Sequence, residues 1–249
     1  MKGIYMLEKK ALTATHLSKS FRLDVQRNIS VLEDISLSAD YGEFISILGI
    51  SGSGKSTLLK CLASLSEPTS GQVSINGVNP YRLRDTKLAK LRRQDISVIF
   101  QSYNLVPALP VLENVALPLR LSHKKVDREA IRKLMKQLRF EAGLDAFVST
   151  LSGGEQQKVA IARTILSDSK VIFADEPTGA LDSLSRQVIF DLLRQLANQG
   201  KCILMVTHDI ELASQTDRSL ILKDGVIYQE LLKPTSQSLY QALEAETIK

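Results

Sequence analysis

The sequence predicts an α/β fold: a mostly parallel, buried core sheet, a small antiparallel sheet against one side, and a helical segment inserted in the core. Three observations predict it. Short apolar runs rich in β-formers, each closed by a breaker, alternate along the chain with stretches of helical apolar spacing. Residues 11–17, 31–37 and 71–75 have strand character of their own, the last running into the turn signal Asn76-Gly77. Residues 102–149 hold Pro107, Pro110 and Pro118 and then a charged helical stretch, so they read as a helical insertion.

The first core strand is Phe44-Ile45-Ser46-Ile47-Leu48, broken by Gly49, and residues 57–65 then carry apolar side chains at helical spacing. Further strands are expected at 97–100, 170–174, 202–207 and 219–222, with helices at about 127–139, 156–166 and 186–197. Strands separated by helices pair in parallel and bury both faces of the sheet. Residues 1–230 are therefore expected to form one domain, with a helical subdomain of about 102–160 inserted in it. Residues 231–249 are expected to form a tail, as a short amphipathic helix on the core or on a partner.

At 249 residues the chain is long enough for a substantial core, and its 44% hydrophobic content is ordinary for a globular protein. The formal charge of +5 suits a nucleotide, anionic lipid or nucleic acid equally well. No apolar run approaches the ~20 residues that cross a bilayer, and the N-terminus lacks a signal-peptide stretch, which points to the cytoplasm. Cys61 and Cys202 lie in apolar stretches without ligand spacing and read as reduced core thiols. His16, His123 and His208 are too scattered for a zinc cluster, so any metal has to arrive with a ligand.

Gly49-Ile50-Ser51-Gly52-Ser53-Gly54-Lys55-Ser56 fits the spacing G-x-x-x-x-G-K-[ST] between a strand and a helix. The glycines let backbone N–H groups turn inward on a phosphate, and the helix presents its positive end to the same anion. Lys55 adds a point charge, Ser56 offers a hydroxyl to Mg²⁺, and Thr57 extends the polar start of the helix. A plain glycine-rich turn does not require strand, lysine and hydroxyl in this order.

Asp175 ends the apolar run Val171-Ile172-Phe173-Ala174, where a carboxylate is costly unless it meets a cation, and Mg²⁺ is the natural one. Glu176, next to it, is placed to polarise an attacking water and is the candidate catalytic base. An N-cap or surface acid before Pro177 is the bland alternative. At Ser152-Gly153-Gly154 two glycines open a helix and again leave N–H groups and a hydroxyl for an anion.

With Leu151-Ser152-Gly153-Gly154-Glu155-Gln156-Gln157 the chain closely resembles the ATP-binding subunits of ABC transporters, and the ordered motifs extend from near Leu17 to about Val226. The resemblance implies a RecA-like P-loop NTPase core, with ATP and Mg²⁺ as cofactors. It implies a head-to-tail homodimer, or a pair with a similar ATPase subunit, in which Ser152, Gly153 and Gly154 of one subunit cap the γ-phosphate held by the other. Asp182 matches the family's loop that crosses this interface. His208 matches the switch histidine at the γ-phosphate, and joins Lys55 and Glu176 in the catalytic set. Gln101 resembles the glutamine that reaches Mg²⁺ and water and begins the loop that receives the membrane subunit. Phe21 sits where many relatives stack a tyrosine on adenine; it keeps the stacking face, and a core phenylalanine is the alternative.

Two departures stand out. Ile50 replaces a small residue common in the phosphate loop, at a position that contributes backbone, and Lys158 replaces an arginine with its charge kept. The string Pro177-Thr178-Gly179-Ala180-Leu181-Asp182-Ser183 resembles the group that serves macrolide export, lipoprotein release, bacitracin-type peptide resistance and cell division. Its membrane partners are permeases with large extracytoplasmic regions, which implies a peripheral ATPase at the cytoplasmic face of the membrane. Transport, most naturally export of or resistance to peptides, antibiotics or lipoproteins, is the leading function. A mechanotransmitting or regulatory ATPase acting on a cell-wall hydrolase or sensor is the alternative. Nucleic acid is not an expected partner: there is no coiled-coil insertion and no zinc module, and the basic stretch from Lys124 to Arg139 lacks interleaved aromatics and reads as a solvated helix face.

Overall fold

The computed structural model describes residues 10–24 and 27–245. A six-stranded sheet of order β5-β6-β7-β3-β8-β9 forms the core, and a three-stranded antiparallel sheet of order β2-β1-β4 packs beside it. The core strands are β3 (Phe44–Leu48), β5 (Ile96–Ile99), β6 (Val171–Asp175), β7 (Cys202–Val206), β8 (Arg218–Lys223) and β9 (Val226–Leu232). All pair in parallel except β8 with β9. The small sheet holds β1 (Leu12–Asp24), β2 (Arg27–Ala39) and β4 (Ser70–Ile75).

Every residue of β3, β6 and β7 is buried, yet the strand period of two still sorts them. Val171 and Phe173 of β6, with Cys202 and Leu204 of β7, pack toward β1, β2 and helix α1 (Lys55–Leu62). Ile172, Ala174, Ile203 and Met205 face the opposite layer of α3 (Val111–Leu121), α4 (Arg128–Gln137), α5 (Gly153–Ser167) and α6 (Ser183–Asn198). Two covered faces explain the unbroken apolar runs.

The structure extends and corrects several expectations. The strands expected at 11–17 and 31–37 are longer arms of a ribbon, because the pairing of β1 with β2 continues through the polar residues after Ser18. The helix expected at 57–65 starts earlier, at Lys55, and ends at Leu62. Helices α2 (Asp85–Gln94) and α3, which contains Pro118, were not anticipated as separate elements. The limit set at 160 falls within α5, whose Val159, Ile161 and Ala162 share a core with Ile172 and Ala174.

The boundary at 230/231 cuts β9. The turn at Asp224 and Gly225, both with positive φ, folds the chain into a hairpin that runs through Leu231 and Leu232. The tail helix is thus shorter than its predicted span: α8 (Ser236–Glu244) starts after Pro234 with a capping box between Thr235 and Ser238. Residues 1–9 of the predicted domain and 246–249 of the predicted tail lie outside the described residues.

Candidate nucleotide site

Parallel pairing brings the carboxyl ends of β3, β5, β6 and β7 to one edge of the sheet, where open α/β folds place their ligands. Register fixes which residues meet there. Val206 of β7 is level with Ile47 of β3 and with Asp175 of β6, so the loop after Leu48, the carboxylates after Ala174 and the histidine after Thr207 emerge side by side.

The loop from Gly49 to Gly54 wraps the start of α1. A side chain at Gly49 would sit 2.2 Å from the Leu222 carbonyl oxygen, and Gly54 caps α1 at φ 100°, a conformation that strains any residue with a Cβ. Ile50 is 61% exposed, which fits a position that contributes backbone only. Lys55 Nζ lies inside the loop, donating to the carbonyls of Gly49 at 2.9 Å and Ile50 at 2.8 Å. Burial lowers the Lys55 pKa, and the nearby charges of Glu176 and Asp175 oppose that shift. The Ser53 hydroxyl is buried without a hydrogen-bond partner, as a donor built for a ligand oxygen would be.

Ser56 Oγ donates to Asp175 Oδ1 at 3.0 Å, joining the phosphate loop to β6 across the intervening β7. A hydroxyl and one carboxylate form the hard oxygen set that Mg²⁺ takes up together with phosphate oxygens, so these residues fit the ion. Among the described residues no cluster of three His, Cys, Asp or Glu could hold a metal by itself. Glu176 follows at φ 50°, with its N–H donating to the Val206 carbonyl at 3.0 Å. Its Oε2 is buried and has no hydrogen-bond partner; His208 Nδ1 lies 3.0 Å away, but out of hydrogen-bond alignment. Glu176 and His208 share with Gln101 a hollow of about 350 Å³. Gln101 is not the end of β5: the strand stops at Ile99, and Gln101 begins an exposed turn.

Ser152, Gly153, Gly154 and Asp182 line a different hollow, of about 560 Å³. Ser152 caps α5 by accepting from the Glu155 N–H, and Asp182 caps α6 by accepting from the Ser185 N–H at 3.0 Å. Hydrogen bonds from the Ser185 side chain and backbone hold the Asp182 carboxyl below the usual range. Gln157, buried in α5, donates to the Pro177 carbonyl at 2.8 Å and so fixes α5 against the loop after Glu176. Phe21 is 43% exposed on β1 with Lys19 Nζ 5.0 Å from its ring centre, so it is not a core side chain. Lys158 is buried, its ammonium held by the Arg139 carbonyl and Glu155. Cys61 and Cys202 lie in the core. The basic face of α4 is exposed, with ion pairs Arg128–Asp145 and Arg132–Glu129, while Ile131, Leu134 and Met135 point inward.

Three contributors escaped the motifs. Gly225, in the β8–β9 turn, donates its N–H to the Ser53 carbonyl at 3.2 Å and accepts from the Glu33 N–H at 2.9 Å, buttressing the phosphate loop. Arg163 and Tyr103 tie the loop after Gln101 to α5. The sequence singles out none of these roles; the Asp224-Gly225 pair is a turn signal but says nothing of the loop that the turn touches.

The family profile described as ABC transporter matches residues 32–179. The chain is 40% identical over 227 residues to the bacitracin export ATP-binding protein BceA of Halalkalibacterium halodurans, covering 89% of this chain and 88% of that one. It is 39% identical over 223 residues to the lipoprotein-releasing system ATP-binding protein LolD of Shewanella denitrificans, covering 88% and 95%. A solved dimeric ATP-binding cassette in a post-hydrolysis state, bound to ADP and Pi, superposes with a TM-score of 0.83 at 38% identity, covering 89% of this chain and 98% of that one. Phosphate loop, paired acids and Ser-Gly-Gly helix start thus occur here on the fold and over the length of known cassettes: the chain belongs to the ABC transporter family of ATP-binding proteins.

Proposed function

We propose that this ATPase powers a membrane permease that exports, or confers resistance to, peptides, antibiotics or lipoproteins, and that it works as a head-to-tail dimer when ATP is bound. The observation that carries the reading is the division of the functional residues between two hollows. One gathers Gln101, Glu176 and His208 at the strand ends beside the phosphate loop; the other gathers Ser152, Gly153, Gly154 and Asp182. Two copies arranged head to tail complete each nucleotide site from both.

In this reading residues 49–57 hold the triphosphate through backbone N–H groups, Lys55 and hydroxyls, and Phe21 offers its face to the base. Ser56, Asp175 and Gln101 would hold Mg²⁺, which would supply positive charge to the phosphate oxygens. Glu176 accepts the proton of the water that attacks the γ-phosphorus as the bond to the bridging oxygen breaks, and His208 contacts the γ-phosphate. The partner subunit's Ser152, Gly153 and Gly154 cap that phosphate, so binding closes the dimer and hydrolysis reopens it.

An apolar groove of about 440 Å³, lined by Leu65, Val98, Phe100, Leu117, Leu121 and Arg163 beside the loop after Gln101, is the candidate seat for a permease segment. None of the described helices is long and apolar enough to cross a membrane, so attachment through a permease with a large extracytoplasmic domain, at the cytoplasmic face, is the proposed arrangement.

The test is purification of the Glu176→Gln chain from native membranes with ATP and Mg²⁺, followed by mass spectrometry. A multi-span permease recovered at one or two copies per ATPase dimer is expected. Recovery of only soluble proteins or nucleic acid would overturn the transport reading.

A further inference from the structure

The loop after β5 and the first residue of α5 meet at a side chain that none of the nucleotide motifs includes. Tyr103 and Asn104 have φ of 63° and 48°, two successive left-handed residues that carry a Cβ. Such backbone persists only where its surroundings hold it. Arg163 holds it: Nη2 donates to the Tyr103 carbonyl at 2.9 Å and Nη1 to the Asn104 carbonyl at 2.8 Å.

The turn carries the Tyr103 side chain to the start of the same helix. A Cβ built on Gly153 would lie 2.9 Å from the Tyr103 hydroxyl oxygen, closer than real Cβ contacts come. The same ring lines the hollow that contains Gln101, Glu176 and His208. Arg163 and Gly153 are ten residues apart on α5, about 15 Å along its axis. The loop is therefore clamped to the helix at two points, by guanidinium-to-carbonyl bonds at one and by a ring against a glycine at the other.

We propose that Tyr103 is a positioning residue that couples the Gln101 loop to the Ser152–Gly154 helix start, so that each subunit's own metal-and-water loop moves together with the cap it lends to its partner. This rests on the dimeric ATPase reading, in which the two ends of the strut serve different nucleotides. A displacement of this loop by one nucleotide would then shift the cap offered to the other, which is a physical basis for cooperativity between the sites.

Suppression of one substitution by another tests the contact. In full-length Glu176→Gln protein, ATP-dependent dimerisation is read by light scattering against protein concentration. Gly153→Ala brings a methyl to the phenol oxygen, the far end of a side chain that yields at some cost to its place in the hollow, and is expected to weaken dimerisation about threefold. Adding Tyr103→Phe removes that oxygen and is expected to recover most of the loss. In hydrolysis-competent protein, Tyr103→Ala is expected to bring the Hill coefficient for ATP toward one, and Tyr103→Phe, which keeps the ring, to retain most of the parent's. A double variant no better than Gly153→Ala, or a Tyr103→Ala enzyme with the parent's Hill coefficient, overturns the proposal alone. Failure of the Glu176→Gln parent to dimerise with ATP overturns the dimeric reading, and the coupling with it.

Discussion

In the proposed reaction Glu176 acts in hydrolysis and not in binding, and a single substitution separates the two. Glu176→Gln keeps shape and burial but removes the proton acceptor, so hydrolysis is expected to fall about 100-fold or more while ATP binding persists. Turnover and filter binding on one preparation check both halves. The two thiols make a prediction of different sign. Burial pushes Cys61 from 9.0 up to about 11 and Cys202 from 9.0 up to about 12. The folded chain therefore keeps protons that the unfolded chain loses above pH 9, and stability is expected to fall as pH rises from about 9 toward 11. Urea unfolding at pH 8 and pH 10 measures this, and Cys202→Ala is expected to show a smaller loss between them. At residue scale the sequence was highly legible wherever chemistry demands a fixed order of types, as in Gly49 to Ser56 or Asp175-Glu176. Tyr103 and Gly225 were opaque, because their roles depend on which distant backbone they touch.

Among the elements, α3 shows what local pattern hides. Pro118 argues against helix, yet α3 holds because Asn114, fully buried, ties its start to the preceding loop. Its Oδ1 accepts from the Val106 N–H at 2.8 Å, and its Nδ2 donates to the carbonyls of Val106 at 3.1 Å and Leu109 at 3.0 Å. Asn114→Ala leaves these backbone groups unpaired and is expected to cost about 2–4 kcal/mol in urea unfolding, from the penalty for buried unsatisfied polar groups. A loss under about 0.5 kcal/mol, the usual size of a surface change, would refute the structural role. The core strands were legible because short, largely apolar runs suit a doubly covered parallel sheet. β9 was not, because none of its residues is fully buried and its register comes from the turn at Asp224 and Gly225. The extension of β1 and β2 was hidden for a related reason: a solvent-facing ribbon of polar residues has pairing but no hydrophobic signature.

For the whole molecule, one chain joins its phosphate loop to Asp175 and sets Glu176 beside His208 in one hollow, while the helix start at Ser152 and Asp182 line another. Both parts were legible as motifs; that Glu176 and His208 line one hollow and Ser152, Gly153, Gly154 and Asp182 another required the fold. The head-to-tail dimer predicts that two different defects complement each other. Lys55→Ala disables a subunit's own phosphate loop, and Ser152→Arg disables the cap it lends. In a mixed dimer both lesions fall in one composite site, leaving the other built from an intact loop and an intact cap. The most direct test is the ATPase rate of an equimolar mixture of the two variants, each inactive alone. Random pairing puts one intact site in half of the dimers, so the composite site predicts recovery of up to about a quarter of the parent rate, and coupling between the sites lowers that figure without abolishing it. No recovery, in a mixture shown by mass spectrometry to contain mixed dimers, would contradict it.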